Sequence, residues 1–132
     1  MSVILDLCGG TGAWSHPWKE AGYDTRVITL PEYDVTKVSM SDNGLLFRPS
    51  AGFIDYKDIV GILAAPPCTE FSLAKNGSHR SRDLSLGMTT VKACLNIIWA
   101  VRLHTRLDFW ALENPVGLLR QFIGKPSYTF YQ

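Results

Sequence analysis

The sequence is short of cysteine and has no long apolar run, and both shortages narrow what it can be. Three cysteines in 132 residues, Cys8, Cys68 and Cys94, are odd in number and scattered. A secreted disulfide scaffold and a zinc site of paired cysteines are both disfavoured, so no metal is expected. The longest apolar stretch, around Ala93 to Leu103, is interrupted by Asn96 and Arg102, which excludes a membrane span there. The first residues, MSVILDLCGG, lack the basic start of a signal peptide and turn acidic at Asp6. Together these absences predict a protein of the reducing cytoplasm. Charge of one sign is lacking too. Thirteen Lys and Arg against twelve Asp and Glu leave a formal charge of +1, so a polyanion would have to be met by a local patch. There is no internal repeat, low-complexity tract or linker, which predicts one domain over residues 1–132.

What is present is an alternation of strand-like and helix-like segments. Ser2 to Leu7 is a β-branched run ended by Gly9-Gly10-Thr11-Gly12, the pattern of a buried strand entering a tight loop. Trp14 to Ala21 reads as a helix, with Pro17 suited to its first turn and Gly22 to the position past its end. Thr25 to Leu30 predicts a second strand stopped by Pro31, and Val60 to Ala64 another. Between them Ser39 to Gly52 is turn-rich and reads as a hairpin or loop. Met88 to Thr105 carries Val91, Cys94, Leu95, Ile98 and Val101 at three- and four-residue steps, one apolar helix face. Phe109 to Leu112 follows as a strand, then a short helix over Gly117 to Ile123 and a strand over Tyr128 to Tyr131. Such alternation predicts an α/β fold, a mostly parallel sheet with helices on both faces.

In such sheets ligands sit beyond the carboxyl ends of the strands, and three of those ends carry unusual chemistry. The first, DLCGGTG, lets the backbone turn sharply and approach a ligand beside a helix start, although a plain tight turn remains open. Ala13-Trp14-Ser15 stands where the dinucleotide fingerprint needs a third glycine, so NAD and FAD are disfavoured. The second, AAPPCTEFS, mounts Cys68 behind two prolines that hold the chain extended and stiff. A buried, inert thiol is the alternative there. For Cys94, on the apolar helix face, the buried role is the expectation, and Cys8 is open to either cofactor contact or packing. The third end, Phe109-Trp110-Ala111-Leu112-Glu113-Asn114-Pro115, sets a carboxylic acid at the edge of an apolar strand, where it could act as an acid, a cap or an ion-pair partner.

Taken in order, DLCGGTGAW, PPCTEFS and ENP resemble the cofactor, proline-cysteine and glutamate-asparagine motifs of the cytosine-5 DNA methyltransferase family. The resemblance implies a Rossmann-like S-adenosylmethionine-dependent methyltransferase fold, incomplete at its C-terminus. It implies S-adenosylmethionine as cofactor and DNA as substrate, with RNA left open. By resemblance Cys68 is the thiolate that adds to carbon 6 of cytosine, and Glu113 the acid that offsets charge at ring nitrogen 3. The base would have to leave the duplex stack to be reached. Asp6, Leu7, Cys8, Gly9, Gly10, Thr11, Gly12 and Pro66 would line the cofactor. Pro67, Ser72 and Asn114 would meet the flipped nucleotide, and Arg80 and Arg82, in the stretch AKNGSHRSR, its phosphates.

The chain also departs from that family. Cys8 stands where an aromatic residue is usual and Thr69 where a glutamine is. Thr29-Leu30 lacks the carboxylate expected to bind the ribose, leaving Glu32 as the nearest substitute and Asp34 for the adenine end. The arginine-bearing motif, the target recognition region and the final helix motif have no counterpart before the chain stops at YTFYQ. A second chain could supply them. A non-catalytic remnant that keeps the fold is the competing reading. Thymidylate synthases also have a cysteine in such a setting, but followed by histidine, and amino-group methyltransferases need other residues where Ala65 and Cys68 stand.

Overall fold

Val3–Leu7, strand β1, is buried along its whole length, and that burial organises the rest. The computed structural model describes residues 1–48, 52–67 and 84–113, the side chains of 84–87 excepted. β1 is hydrogen-bonded in parallel on one side to β2 (Asp24–Ile28) and on the other to β6 (Ile59–Ala64), and β6 in turn to β7 (Phe109–Leu112). The sheet order is therefore β2-β1-β6-β7. A strand covered on both faces loses the usual alternation and reads as continuous apolar sequence, as VIL and GILA do here.

One face of the sheet, through Val3, Leu5, Leu7, Ile62 and Ala64, packs on helix α2 (Leu84–His104). Val91, Cys94, Ile98 and Val101 of α2 are buried as its periodicity predicts; Leu95 is only half-buried, while Ile97 joins the core. The opposite face carries Ile4, Asp6, Gly61 and Leu63 by register, under the short helix α1 (His16–Glu20). Trp18 of α1 stacks on Phe109 of β7 at 5.5 Å between ring centres. Gly61 makes room for that ring: a Cβ there would lie 2.5 Å from Phe109 Cε1 and 2.9 Å from Cε2.

α1 is shorter than the Trp14 to Ala21 expected. It ends at Ala21 with Gly22 in the left-handed region, the Gly22 N–H donating to Lys19 O and the Tyr23 N–H to Trp18 O, so the reading of Gly22 as its stop is right. The second strand starts one residue earlier than expected and stops at Ile28, two residues short of Leu30. The turn-rich stretch forms an antiparallel meander of β3 (Ser39–Met40), β4 (Gly44–Phe47) and β5 (Gly52–Asp55). Its Leu45, Phe47 and Ile54 join the same core cluster. The expected helix at Gly117 to Ile123 and strand at Tyr128 to Tyr131 lie outside the described residues.

Gly61→Ala should lower stability by about 1–3 kcal/mol, because the added methyl displaces the Phe109 ring from its seat under Trp18. Urea unfolding followed by tryptophan fluorescence checks this. An unchanged midpoint would mean that the ring is not seated against Gly61.

Candidate functional site

The register makes the ends of four parallel strands level. Ile28 pairs with Leu7, Leu7 with Ala64, and Ala64 with Leu112. Three backbone hydrogen bonds carry the row one residue further: Cys8 N–H to Ile28 O at 2.8 Å, Ala65 N–H to Leu7 O at 3.0 Å, and Glu113 N–H to Ala64 O at 2.8 Å. Neighbouring strands lie about 4.8 Å apart, so the Leu7, Ala64 and Leu112 ends fall within about 10 Å of one another. From β1 the chain goes outward to β2, and from β6 outward the other way to β7. The two middle ends therefore flank a switch point, where an open α/β sheet leaves its crevice.

The loop leaving β1 is shaped by residues with positive φ: Cys8 at 59°, Gly10 at 58° and Gly12 at 82°. Gly12 N–H closes a turn on Gly9 O at 2.9 Å. Among the described residues nothing lies within 4 Å of the side-chain position at Gly10, so the loop is open toward them there. Gly9 is different, because a Cβ would fall 2.5 Å from Asp6 Oδ1 and 2.7 Å from Oδ2. Only glycine allows the loop to lie directly on that carboxylate.

Asp6 is completely buried. Ser15 Oγ donates to its Oδ2 at 2.7 Å, and its Oδ1 has no hydrogen-bond partner among the described residues. Burial pushes the Asp6 carboxyl above its usual range, while hydrogen bonds from the Ser15 side chain and backbone pull it back. Cys8 and Cys94 are free, Cys8 packs against the core cluster that contains Cys94, and the two thiols interact. That interaction and burial push the Cys94 thiol up, whereas Cys8, half-buried, is held down by its interaction with Cys94 against burial and the Asp34 and Asp6 carboxylates. Cys8 thus packs into the core and also shapes the loop. Of the two roles the sequence left open, cofactor contact and packing, the structure describes the packing.

Asp34 caps the 3-10 turn Val35–Lys37, accepting from the Thr36 N–H at 2.9 Å and Thr36 Oγ1 at 2.6 Å, which hold its carboxyl below the usual range. Its charge is one of those that oppose ionisation of the Cys8 thiol. Glu32 is exposed. Pro66 is buried and Pro67 exposed, so only the second faces outward. Thr11 is exposed and Leu7 buried beneath the loop. Glu113 is half-buried at the end of β7. Cys68, Ser72, Arg80, Arg82 and Asn114 lie outside the described residues. Sequence reasoning missed Ser15, because it began the helix at Trp14; Pro17 as the second helical residue puts Ser15 at the cap. A separate cavity of about 190 Å³ runs beside β2, between Arg26, Ile28, Tyr33, Phe47 and Ile54.

Fold and site define an open parallel α/β protein with a glycine loop over a buried carboxylate at its switch point. Over 125 residues the chain is 27% identical to the Type II methyltransferase M.DdeI of Desulfomicrobium norvegicum, covering 88% of this chain and 28% of that protein. The chain is thus distantly similar to a methyltransferase and spans well under a third of its length. No family model and no solved structure matches. Among the described residues no helix is long and apolar enough to cross a membrane.

A buried carboxylate with a raised pKa costs stability when ionised. That contribution favours the fold below the ordinary value of 3.8 and is lost as pH rises through the raised native value. Asp6→Asn removes the loss, so its urea midpoint at pH 7 should equal or exceed that of the unaltered chain, with the advantage shrinking toward pH 3.8. A variant destabilised more at pH 7 than in acid would contradict the assignment. Gly9→Ala should instead cost about 1–3 kcal/mol at either pH.

Proposed function

We propose that this chain is the cofactor-holding and front catalytic portion of an S-adenosylmethionine-dependent DNA cytosine-5 methyltransferase. The observation that carries the reading is the level row of strand ends, with the glycine loop, the Ala65-Pro66-Pro67 segment that leads to Cys68, and Glu113 following three adjacent strands. The similarity to a Type II methyltransferase supports it.

The loop fits such a cofactor in two respects. Gly10 leaves open space above the backbone, and Asp6 Oδ1 is a buried acceptor without a donor among the described residues, suited to a cationic group. The segment from Asp6 to Gly12 and Pro66 would hold the cofactor, with Asp34 toward its adenine and Glu32 toward its ribose. When bound, S-adenosylmethionine supplies an electrophilic methyl group.

The chain's own residues would prepare the base. Cytosine carbon 5 is a poor nucleophile, and the Cys68 thiolate changes that by forming a bond to carbon 6 and pushing an electron pair into the ring. Glu113 gives ring nitrogen 3 a proton, which leaves an enamine with electron density on carbon 5. Once carbon 5 is methylated, loss of its proton to a base such as water expels the thiolate, and nitrogen 3 returns its proton to Glu113, which restores the ring. Pro67, Ser72 and Asn114 would hold the flipped base, and Arg80 and Arg82 the flanking phosphates.

A second reading is favoured by one fact, that the chain matches only 28% of its relative's length: it holds the cofactor but reacts only with a further chain, or not at all. Trapping separates the two. With S-adenosylmethionine and duplex DNA carrying 5-fluorocytosine, which has no proton to lose at carbon 5, the chain should form a covalent adduct visible by denaturing mass spectrometry. Cys68→Ser should abolish it. If no adduct forms while S-adenosylhomocysteine binds, the catalytic reading of this chain alone fails and the cofactor-holding one stands.

A further inference from the structure

Ser15 occupies the cap position of α1 but does not cap it. A serine there ordinarily accepts a hydrogen bond from an amide of the first turn, yet its side chain makes no such bond, and the second helical residue, Pro17, has no N–H to give. The hydroxyl points back across nine positions of chain to Asp6 Oδ2, at 2.7 Å, with Gly12 O as a longer alternative at 3.3 Å. Ser15 is 1% exposed and Asp6 0%. The bond therefore lies out of water, where a charged acceptor gains most from a donor.

A carboxylate has two oxygens, and this arrangement satisfies one. Leaving Oδ1 buried without a partner costs free energy that an asparagine would reduce and an apolar residue would avoid. Gly9 lies against the carboxylate and closes it from that side. The arrangement makes sense when a donor arrives with a ligand, and a fixed anion best serves a cationic donor.

We propose that Ser15 is a positioning residue: it fixes the Asp6 carboxylate so that Oδ1 receives the α-ammonium of the amino-acid tail of an S-adenosyl cofactor. This rests on the cofactor reading above. The same hydroxyl lies 3.3 Å from Gly12 O, so the carboxylate, the hydroxyl and the far end of the glycine loop are packed together.

The test compares S-adenosylhomocysteine, which has the ammonium, with 5′-methylthioadenosine, which lacks the amino-acid tail, by calorimetric titration of the full chain. Ser15→Ala should weaken S-adenosylhomocysteine about tenfold, the order expected for loss of a bond to a charged group, and leave methylthioadenosine within about twofold. Asp6→Asn, which keeps the shape and removes the charge, should show the same selective loss. In the unaltered chain S-adenosylhomocysteine binding should weaken in acid as Asp6 takes a proton, and in Ser15→Ala the midpoint should move to higher pH. Equal losses for both ligands would make Ser15 a prop of the loop and overturn the proposal, as would no loss for either. If the unaltered chain binds neither ligand, the cofactor reading falls and takes the proposal with it.

Discussion

Strand β1 is hydrogen-bonded on both edges and sealed on both faces, and its register fixes where everything else can be. A one-residue slip would turn Val3, Leu5 and Leu7 away from α2 and put Asp6 in the core cluster. The same register levels the ends of β2, β1, β6 and β7, so the segments that follow them start side by side. The crevice is thus a consequence of sheet pairing. The loops only furnish it.

Burying Asp6 on that strand sets the terms for its surroundings. Gly9 is glycine because the carboxylate lies under it, and Ser15 forgoes its helix cap to donate its hydroxyl to that carboxylate. Cys8, in a left-handed conformation rare for a residue with a side chain, anchors the loop from the other face through its thiol contact with Cys94 of α2. The loop is therefore held from both sides of the sheet, through Asp6 and Ser15 on the α1 face and through Cys8 and Cys94 on the α2 face. Such fixing limits the reorganisation a ligand would have to drive.

Much of this was legible in the sequence where the physics is local. Phe109 to Leu112 is a strand with the expected bounds, and the period of Val91, Cys94, Ile98 and Val101 gave the buried face of α2. Gly22 marked the end of α1 because few other residues adopt that backbone. The meander was only partly visible, since β3 has two residues and β4 four, too short for alternation to show. The role of Ser15 was not visible at all: it depends on a contact across nine positions that no local pattern reports. Pro66 and Pro67, alike in sequence, differ in exposure, the first buried and the second exposed just past the end of β6. The reading of Cys68, Ser72, Arg80, Arg82 and Asn114 rests on their motifs alone.

The central claim is that the switch-point crevice between β1 and β6 holds an S-adenosyl ligand, and amide chemical shifts test it most directly in a chain of 14.7 kDa. Titrated with S-adenosylhomocysteine, the amides of Cys8, Gly10, Gly12 and Ala65 should move most and saturate together. Shifts centred instead on Arg26, Tyr33 and Phe47, around the cavity beside β2, or no saturable shifts at all, would contradict it.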